Sequence, residues 1–264
     1  MDKEIIYKQK KLVYAISGSG PYVVLLHGFG GDGRGWKQQV AFLEKDFTVV
    51  VPQFPGSGVS ELTANMSMES LADSVQFILK SESIRECCMI GHSMGGYVTL
   101  AFAEKYPFML NGLGLFHSSA YADTDEKIAT RRQGIATIQE EGPYEFLKNM
   151  IPNLYGSHTK AHNPSLIEQH LLDVAYFSKD ALIAYYEAMI NRPDRTQVLK
   201  QNKIPILFVL GRDDKTIPLE QGLEQSHLAE TTYIHVLERS GHMGMKEEPE
   251  ESNSILKNFL LKTV

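Results

Sequence analysis

The sequence predicts an α/β fold, with a mainly parallel central sheet, helices on both faces of that sheet, and an inserted helical lid. Short apolar runs alternate with amphipathic segments over the first third of the chain, and this alternation returns near its end. The apolar runs are continuous and rich in valine, isoleucine and leucine, which is typical of parallel strands buried on both faces. The stretch between these two regions shows helical periodicity and no convincing strand.

The first region begins with two predicted strands, "KLVYAISG" (11–18) and "PYVVLLHG" (21–28). Because no helix separates them, we expect these strands to pair as an antiparallel edge. The segments that follow alternate between helix and strand: "WKQQVAFLEK" (helix, 36–45), "FTVVVPQ" (strand, 47–53), "MESLADSVQFILKSE" (helix, 68–82), "ECCMIG" (strand, 86–91), "YVTLAFAEKY" (helix, 97–106) and "LNGLGLFH" (strand, 110–117). This order predicts β-α-β units, whose parallel strands end at one edge of the sheet.

A helical insertion interrupts this pattern. Prolines punctuate amphipathic segments such as "SLIEQHLLDVAYF" and "DALIAYYEAMI". We predict that residues 118–200 form a helical cap and that residues 1–117 and 201–264 form the core domain. The core resumes with a strand in "IPILFVLG" (204–211), a helix in "LEQGLEQSHLAE" (219–230), a strand in "TYIHVLE" (232–238) and a closing helix over about 248–262.

The charge balance restricts the classes of partner. Lysine and arginine together number 26 against 32 aspartates and glutamates, which gives a net charge of −6. Binding to nucleic acid or to an anionic membrane needs clustered basic side chains. Only Lys8, Lys10 and Lys11 form a short basic run, at a predicted edge strand or hairpin. We therefore expect neither nucleic acid nor a membrane as a partner, and the small-molecule substrate that we expect instead rests on the motifs described below.

The N-terminal segment is charged and has no continuous apolar run, so we expect no signal peptide and a cytoplasmic location. No stretch of the sequence has the length and apolarity of a membrane-spanning helix. Cys87 and Cys88 are neighbours in a predicted strand, where their side chains point to opposite faces. They are predicted to be small core residues rather than a disulfide or a metal site.

The chain turns sharply within "MIGHSMGGYVTL", residues 89–100. A strand that ends at Ile90 and a helix that begins near Met94 leave almost no connecting loop, so the residue at the turn must adopt a strained conformation. Gly91 and Gly95 lack a Cβ and let the strand and the helix approach each other. Ser93 then projects from the carboxyl edge of the sheet, beside the positive end of the helix, which suits a nucleophile better than a plain turn serine.

Five motifs, in this order, resemble those of the α/β-hydrolase superfamily: "LLHGFGG" (25–31), "PQFPGSGVS" (52–60), "GHSMGG" (91–96), "GRDDKTIP" (211–218) and "GHMGMKEEPE" (241–250). The resemblance covers nearly the whole chain. It implies the α/β-hydrolase fold and a lidded serine hydrolase of the esterase, lactonase or C–C hydrolase kind. Gln53 departs from the family pattern, in which an aspartate is frequent. Ser93 at the elbow argues against a dehalogenase or an epoxide hydrolase, where a nucleophilic aspartate is expected.

A serine hydroxyl needs a base within hydrogen-bonding distance and a carboxylate that orients this base. His242 fits best among the nine histidines, because it lies in a glycine-bounded loop after the last predicted strand. Asp213 and Asp214 both follow the predicted strand "IPILFVLG", which is the strand before the last one. The family pattern G-x-x-D-x-x-x-P matches Gly211, Asp214 and Pro218. The pattern favours Asp214 as the catalytic acid, and leaves Asp213 as a solvated loop carboxylate or a cap.

The resemblance also implies an oxyanion hole made by the backbone N–H groups of Phe29 and Met94. Gly28 and the glycines after it give the first of these loops the freedom to turn its amides inward. His27 is expected to hold this loop rather than to take part in the chemistry. The alternative, that "GFGGDGRG" cradles a phosphate, is disfavoured because the segment lacks the G-K-[ST] ending and the G-x-G-x-x-G spacing.

Four residues next to the motifs are candidates to line a substrate pocket: Phe54, His117, Tyr121 and Met243. For His117, packing within its loop is an equally good interpretation, and aromatic and methionine side chains often belong to the core. His158 and His162 are four residues apart and could face one metal ion, but Gly156 breaks the helical pattern and no glutamate completes the motif. The sequence predicts no metal and no cofactor.

The leading hypothesis is a cofactor-free serine hydrolase that acts on a small or medium apolar ester or lactone through an acyl-enzyme. An alternative enzyme hydrolyses a carbon–carbon bond in a β-diketone or ring-fission product, since lidded relatives use the same triad for that reaction. A third hypothesis is a ligand sensor that keeps the triad, turns over slowly and signals through lid movement. The sequence holds no interaction motif that supports the sensor.

Overall fold

The computed structural model describes residues 2–263. Its strands are β1 (Asp2–Tyr7), β2 (Lys10–Gly18), β3 (Tyr22–Leu26), β4 (Thr48–Pro52), β5 (Cys87–His92), β6 (Leu110–Phe116), β7 (Ile206–Gly211) and β8 (Thr232–Leu237). Its helices are α1 (Lys37–Leu43), α2 (Met68–Ser81), α3 (Met94–Lys105), α4 (Asp125–Glu140), α5 (Pro143–Met150), α6 (Ser157–His162), α7 (Ser165–Asp173), α8 (Lys179–Ile190), α9 (Thr196–Gln201), α10 (Leu219–Ser226), α11 (Gly244–Glu247) and α12 (Pro249–Leu260). None of these described helices is both long and apolar enough to cross a membrane.

The eight strands form one sheet in the order β1-β2-β4-β3-β5-β6-β7-β8. The strands from β3 to β8 are all parallel to one another, and β1 and β2 form an antiparallel edge. Helices α2 and α3 pack together as one layer, and α1 packs on α12 in another. The predicted fold class, a mainly parallel sheet covered by helices, is confirmed.

The predicted pairing of "KLVYAISG" with "PYVVLLHG" is wrong. These segments form β2 and β3, but β2 pairs with β1 and β4, whereas β3 lies between β4 and β5. The reason is the crossover through α1, which returns the chain parallel to β3 on the side that faces β2. The antiparallel partner at the very edge is β1, joined to β2 through a turn at Lys8 and Gln9, both with positive φ.

Two of the parallel strands are buried along their whole length. Every residue of β5 and of β7 is buried, as expected for parallel strands covered on both faces. Cys87 and Cys88 are free, buried thiols on β5. Burial raises the pKa of Cys88 to about 12, so this thiol stays protonated at neutral pH.

The segment between β6 and β7, described throughout, contains the helices α4 to α9 and no strand. These helices fall within the predicted cap at 118–200, except that α9 extends one residue beyond it. Their buried side chains include Leu147 and Tyr185, which belong to the same hydrophobic cluster as the sheet. The insertion is thus packed onto the sheet, and its treatment as a separate cap stays a prediction.

Candidate active site

Ser93 stands at the turn between β5 and α3, with φ of 50° and ψ of −117°. This conformation is strained for a residue that carries a side chain. A Cβ at Gly91 would lie 2.2 Å from the carbonyl oxygen of Gly95, and a Cβ at Gly95 would lie 2.5 Å from that of Leu26. Both glycines are therefore required by the close approach of strand and helix. The Ser93 amide donates to the carbonyl of Phe116 at 3.0 Å, which fastens the turn to β6.

His242 and Asp214 meet at the same edge of the sheet. His242 Nδ1 donates to Asp214 Oδ2 at 2.8 Å, and Asp214 Oδ1 accepts the amides of Thr216 and Ile217 at 2.8 and 3.0 Å. Burial opposes the charge on Asp214, but the nearby imidazoles and their contacts hold the pKa of this carboxyl well below its usual range. A carboxylate at Nδ1 fixes the neutral tautomer of His242, in which Nε2 is free to accept a proton.

His117 is the second side chain at this carboxylate, a contact that the sequence motifs do not predict. Its Nδ1 lies 3.3 Å from Asp214 Oδ2, outside regular hydrogen-bond geometry, and its Nε2 accepts the amide of Gly244 at 3.2 Å. Burial lowers the pKa of His117, so the ring is neutral and carries its proton on Nδ1, toward the carboxylate. One sequence feature could have indicated this contact: His117 directly follows β6, at the carboxyl edge of the sheet.

His92, the residue before the nucleophile candidate, ties the elbow to the loop of His242. Its Nε2 donates to the carbonyl oxygen of His242 at 2.9 Å. Burial, together with the nearby His242 and His117, holds the pKa of His92 well below its ordinary value, so the ring is neutral. The sequence does not predict this role of His92, since a histidine inside the elbow motif carries no pattern of its own.

The loop after β3 lies against the elbow. A Cβ at Gly28 would lie 2.8 Å from His92 Nδ1 and 3.2 Å from the Cβ of Ser93. Within residues 2–263, the amides of Phe29 and Met94 donate no hydrogen bond. Two unpaired N–H groups beside a candidate nucleophile form the kind of site that binds an oxyanion.

His27 holds this loop, as the sequence analysis expects. Its Nδ1 donates to the carbonyl of Gly28 at 2.9 Å, its Nε2 accepts the amide of Phe54 at 3.1 Å, and this Nε2 lies 3.0 Å from the hydroxyl oxygen of Ser57. The ring of Phe54 packs on the imidazole, with 4.5 Å between ring centres. Burial lowers the pKa of His27, in keeping with a neutral scaffold residue.

A cavity of about 700 Å³ opens at the elbow, between the core and the insertion. Its apolar lining includes the side chains of Met150, Leu154, Val174, Tyr186 and Met189. The cavity is also lined by four of the predicted catalytic, oxyanion-hole and pocket residues: Phe29, Ser93, His242 and Met243. Ser93 and His242 therefore share one cavity, although Ser93 Oγ makes no hydrogen bond to any residue within 2–263.

Three expected lining residues lie elsewhere. Phe54 and His117 are fully buried and outside the cavity wall, because Phe54 packs on His27 and His117 packs on Asp214. Tyr121 is partly exposed but is not part of the wall either. The prediction that these three residues line the pocket is therefore wrong.

His117, Asp214 and His242 are buried and offer donor atoms within 4.8 Å of one another, as a metal site would. Their hydrogen bonds use these atoms differently. His242 Nδ1 carries the proton bonded to the carboxylate, and His117 Nε2 accepts a backbone amide. These hydrogen bonds are typical of a carboxylate that orients an imidazole, rather than of three ligands that bind a metal ion.

Two carboxylates fasten the insertion to the loops of the core. Glu247 accepts the amide of Gly241 at 2.9 Å and that of Gly156 at 2.8 Å. Asp213 accepts the amide of Ser157, the first residue of α6, at 2.6 Å. Asp213 therefore caps the start of that helix. The role of Glu247 could not be predicted from the sequence, because two adjacent glutamates do not show which distant backbone amides each will bind.

Comparisons with known proteins agree with the fold. A 2-hydroxy-6-oxononadienedioate/2-hydroxy-6-oxononatrienedioate hydrolase from Paraburkholderia phymatum is 28% identical over 90% of this chain and 86% of its own. A 2-hydroxy-6-oxo-6-phenylhexa-2,4-dienoate hydrolase from Comamonas testosteroni is 26% identical over 94% of this chain and 90% of its own. A thermophilic esterase from Thermogutta terrifontis, solved with malate bound, has a TM-score of 0.94 and 29% identity over 100% of this chain and 99% of its own. The family model described as the alpha/beta hydrolase family matches residues 23–254, and the chain belongs to that family.

Proposed function

We propose that this protein is a serine hydrolase that cleaves a small or medium apolar carboxylic ester or lactone. In this proposal Ser93 is the nucleophile, His242 is the general base, Asp214 orients His242, and the amides of Phe29 and Met94 bind the oxyanion. The observation that carries it is the 2.8 Å hydrogen bond between His242 and Asp214, with His242 lining the same cavity as the strained Ser93. Membership in the alpha/beta hydrolase family supports the reaction class.

The reaction begins when Ser93 Oγ attacks the carbonyl carbon and Nε2 of His242 takes the hydroxyl proton. Negative charge develops on the carbonyl oxygen, and each amide donor that stabilises it is worth about 3 to 4 kcal/mol. His242 then gives the proton to the leaving oxygen, and an acyl-Ser93 ester remains. Water attacks this ester with His242 again as base, which releases the acid and restores Ser93. Apart from the substrate and one water molecule, these steps use only groups of this chain.

A second candidate function is hydrolysis of a carbon–carbon bond. It is favoured by the names of the relatives from Paraburkholderia phymatum and Comamonas testosteroni, whose substrates are 6-oxo dienoates. Such a substrate contains a ketone and no ester, so its hydrolysis at the ketone breaks a carbon–carbon bond. The esterase from Thermogutta terrifontis, at 29% identity, favours the ester proposal.

Turnover separates the two candidates. We would measure kcat/KM for p-nitrophenyl acetate and butyrate, and for a 2-hydroxy-6-oxo-dienoate, with native protein and with Ser93→Ala as the background control. The proposal predicts at least a tenfold preference for the esters and no ester turnover by Ser93→Ala. A tenfold preference for the dienoate would replace the ester proposal, and ester turnover retained by Ser93→Ala would remove Ser93 as the nucleophile.

A further inference from the structure

We propose that the substrate carries a carboxylate remote from the bond that is cleaved, and that Arg131 binds this carboxylate, assisted by Lys127. This inference rests on the proposed ester hydrolysis at Ser93, and it replaces the apolar ester of that proposal by an ester whose far end is charged. It is carried by the distribution of charge around the cavity wall.

One side of the wall is electrically balanced. Arg34 and Asp32 line it and form an ion pair at 2.6 Å. Lys246 and Asp173 also line it and lie 3.7 Å apart. Each cation on this side has its own carboxylate, so this side offers a substrate no surplus charge.

Another part of the wall carries a surplus of positive charge. Lys127 and Arg131, one turn apart on α4, line the cavity together with Lys215 from the loop after β7. Glu126 is the one acidic side chain among the lining residues in this part of the wall. Lys127 Nζ donates to the carbonyl of Thr216 at 3.1 Å, a neutral partner that leaves its charge uncompensated.

Arg131 has a carboxylate partner, but that partner is shared. Asp123 accepts a hydrogen bond from Arg131 Nε at 2.6 Å and forms an ion pair with Arg192, whose Nη2 lies 2.9 Å from Asp123 Oδ1. Burial opposes ionisation of Asp123, yet the two guanidinium groups hold the pKa of this carboxyl below its ordinary value. Two guanidinium charges therefore face one carboxylate, and the trio keeps a net charge of about +1.

The surplus charge faces the cavity through Arg131. The side chain of Arg131 is 17% exposed and lines the wall, whereas Arg192 is 4% exposed, lies against the ring of Tyr97 and is outside the wall. Within residues 2–263, Nη1 of Arg131 donates no hydrogen bond, so it can bind an anion without breaking the contact to Asp123. A charge-assisted hydrogen bond in a partly buried site is stronger than a neutral one.

The contacts of Arg131 bear on the separation between the scissile carbonyl and the carboxylate of the substrate. Its guanidinium carbon lies 5.6 Å from the centre of the Tyr186 ring, and the ring of Phe29 stacks on Tyr186 at 4.3 Å. Arg131 and Phe29, whose amide is a proposed oxyanion donor, therefore contact the same aromatic ring. We infer a short methylene chain between the scissile carbonyl and the carboxylate, as in the half-ester of a small dicarboxylic acid.

The test compares two matched series of substrates. One series is the ethyl half-esters of succinic, glutaric and adipic acid, and the other is the ethyl esters of their monoamides, which have nearly the same shape without the charge. We expect kcat/KM to favour the best half-ester over its amide by at least tenfold at low salt. Arg131→Gln should lower this ratio at least tenfold, Lys127→Gln by about threefold, and Arg131→Lys should retain part of it.

Arg132→Gln is the control, because Arg132 lies on the same helix, is exposed and is outside the cavity wall. It removes the same charge and should leave the ratio unchanged.

Calorimetry with glutarate gives a readout that needs no turnover: binding to native protein should be at least tenfold tighter than binding to Arg131→Gln. Good turnover of both series with a ratio near one, or equal effects of Arg131→Gln and Arg132→Gln, would overturn the carboxylate site and leave the ester proposal intact. Glutarate binding that depends on Arg131, without turnover of either series, would instead support the site and contradict the ester proposal.

Discussion

His117 Nδ1 lies 3.3 Å from Asp214 Oδ2, the same oxygen that accepts the hydrogen bond from His242. Asp214 thus lies between two imidazoles, with backbone amides on its other oxygen. His117 also accepts the amide of Gly244, two residues after His242. We infer that His117 is a positioning residue, which acts on the base through the carboxylate and the loop.

Replacement of His117 should therefore affect turnover more than substrate binding. His117→Leu leaves the Gly244 amide unpaired and places a branched side chain at a φ of 49°, so we expect a loss of about 2 kcal/mol in stability and about a tenfold lower kcat. His117→Asn suits the left-handed backbone and keeps polar atoms at the site, so it should retain more activity. Equal kcat values for native protein and both variants would remove the positioning role.

Asp214→Asn should lower kcat by about 10³ to 10⁴-fold with little change in KM, because an amide no longer fixes the tautomer of His242. Asp213→Asn is the matched control, since the adjacent carboxylate contacts Ser157 and not His242. We expect its kcat to stay within threefold of the native value. The assignment of the acid would be reversed if Asp213→Asn were the more damaging of the two.

Gly95→Ala should destabilise the protein by about 3 kcal/mol, because the added Cβ would lie 2.5 Å from the carbonyl oxygen of Leu26 and α3 would have to move. Gly35→Ala is the control, as its Cβ would meet no atom within 4 Å. Urea unfolding of both variants measures the difference. A Gly95→Ala variant as stable as Gly35→Ala would contradict the tight packing of the elbow.

Stability should fall as the pH drops below about 6.5, because buried histidines stay neutral in the folded protein and take up protons on unfolding. Burial, with the nearby charge of Lys246, lowers the pKa of His170 from 6.5 to about 3. Its contribution is complete above pH 6.5 and is lost as the pH falls toward 3, by about 1.4 kcal/mol for each pH unit. His170→Gln should thus flatten the curve of unfolding free energy between pH 6.5 and 4. Parallel curves for the two proteins would exclude a buried neutral His170.

The features that the sequence predicted are those with a local cause. The elbow around Ser93 follows from a strand, a helix and two glycines within a few residues, and its strained φ of 50° is what that spacing demands. The pairing of β2 with β4 has no local cause, because it depends on the path of the chain through α1. The contact between His92 and His242 joins residues 150 positions apart, and nothing in the motif around either histidine indicates that the other lies next to it.

The cavity wall was the least predictable part of the site. Met243 lines it, but Phe54 and His117 are turned into the core, since a position next to a motif does not fix the direction of a side chain. Arg131 and Lys127 come from the insertion, whose helices show amphipathic patterns without marking which polar residues face inward.

The central claim is that Ser93 is a nucleophile activated by His242. The most direct measurement is intact-protein and peptide mass spectrometry after reaction of folded protein with a fluorophosphonate, which bonds covalently to activated serines. We predict one adduct, located at Ser93, absent from Ser93→Ala and formed at least a hundredfold more slowly by a His242→Gln variant. A folded native protein that gains no mass at Ser93, or that reacts equally fast without the imidazole, would contradict the claim.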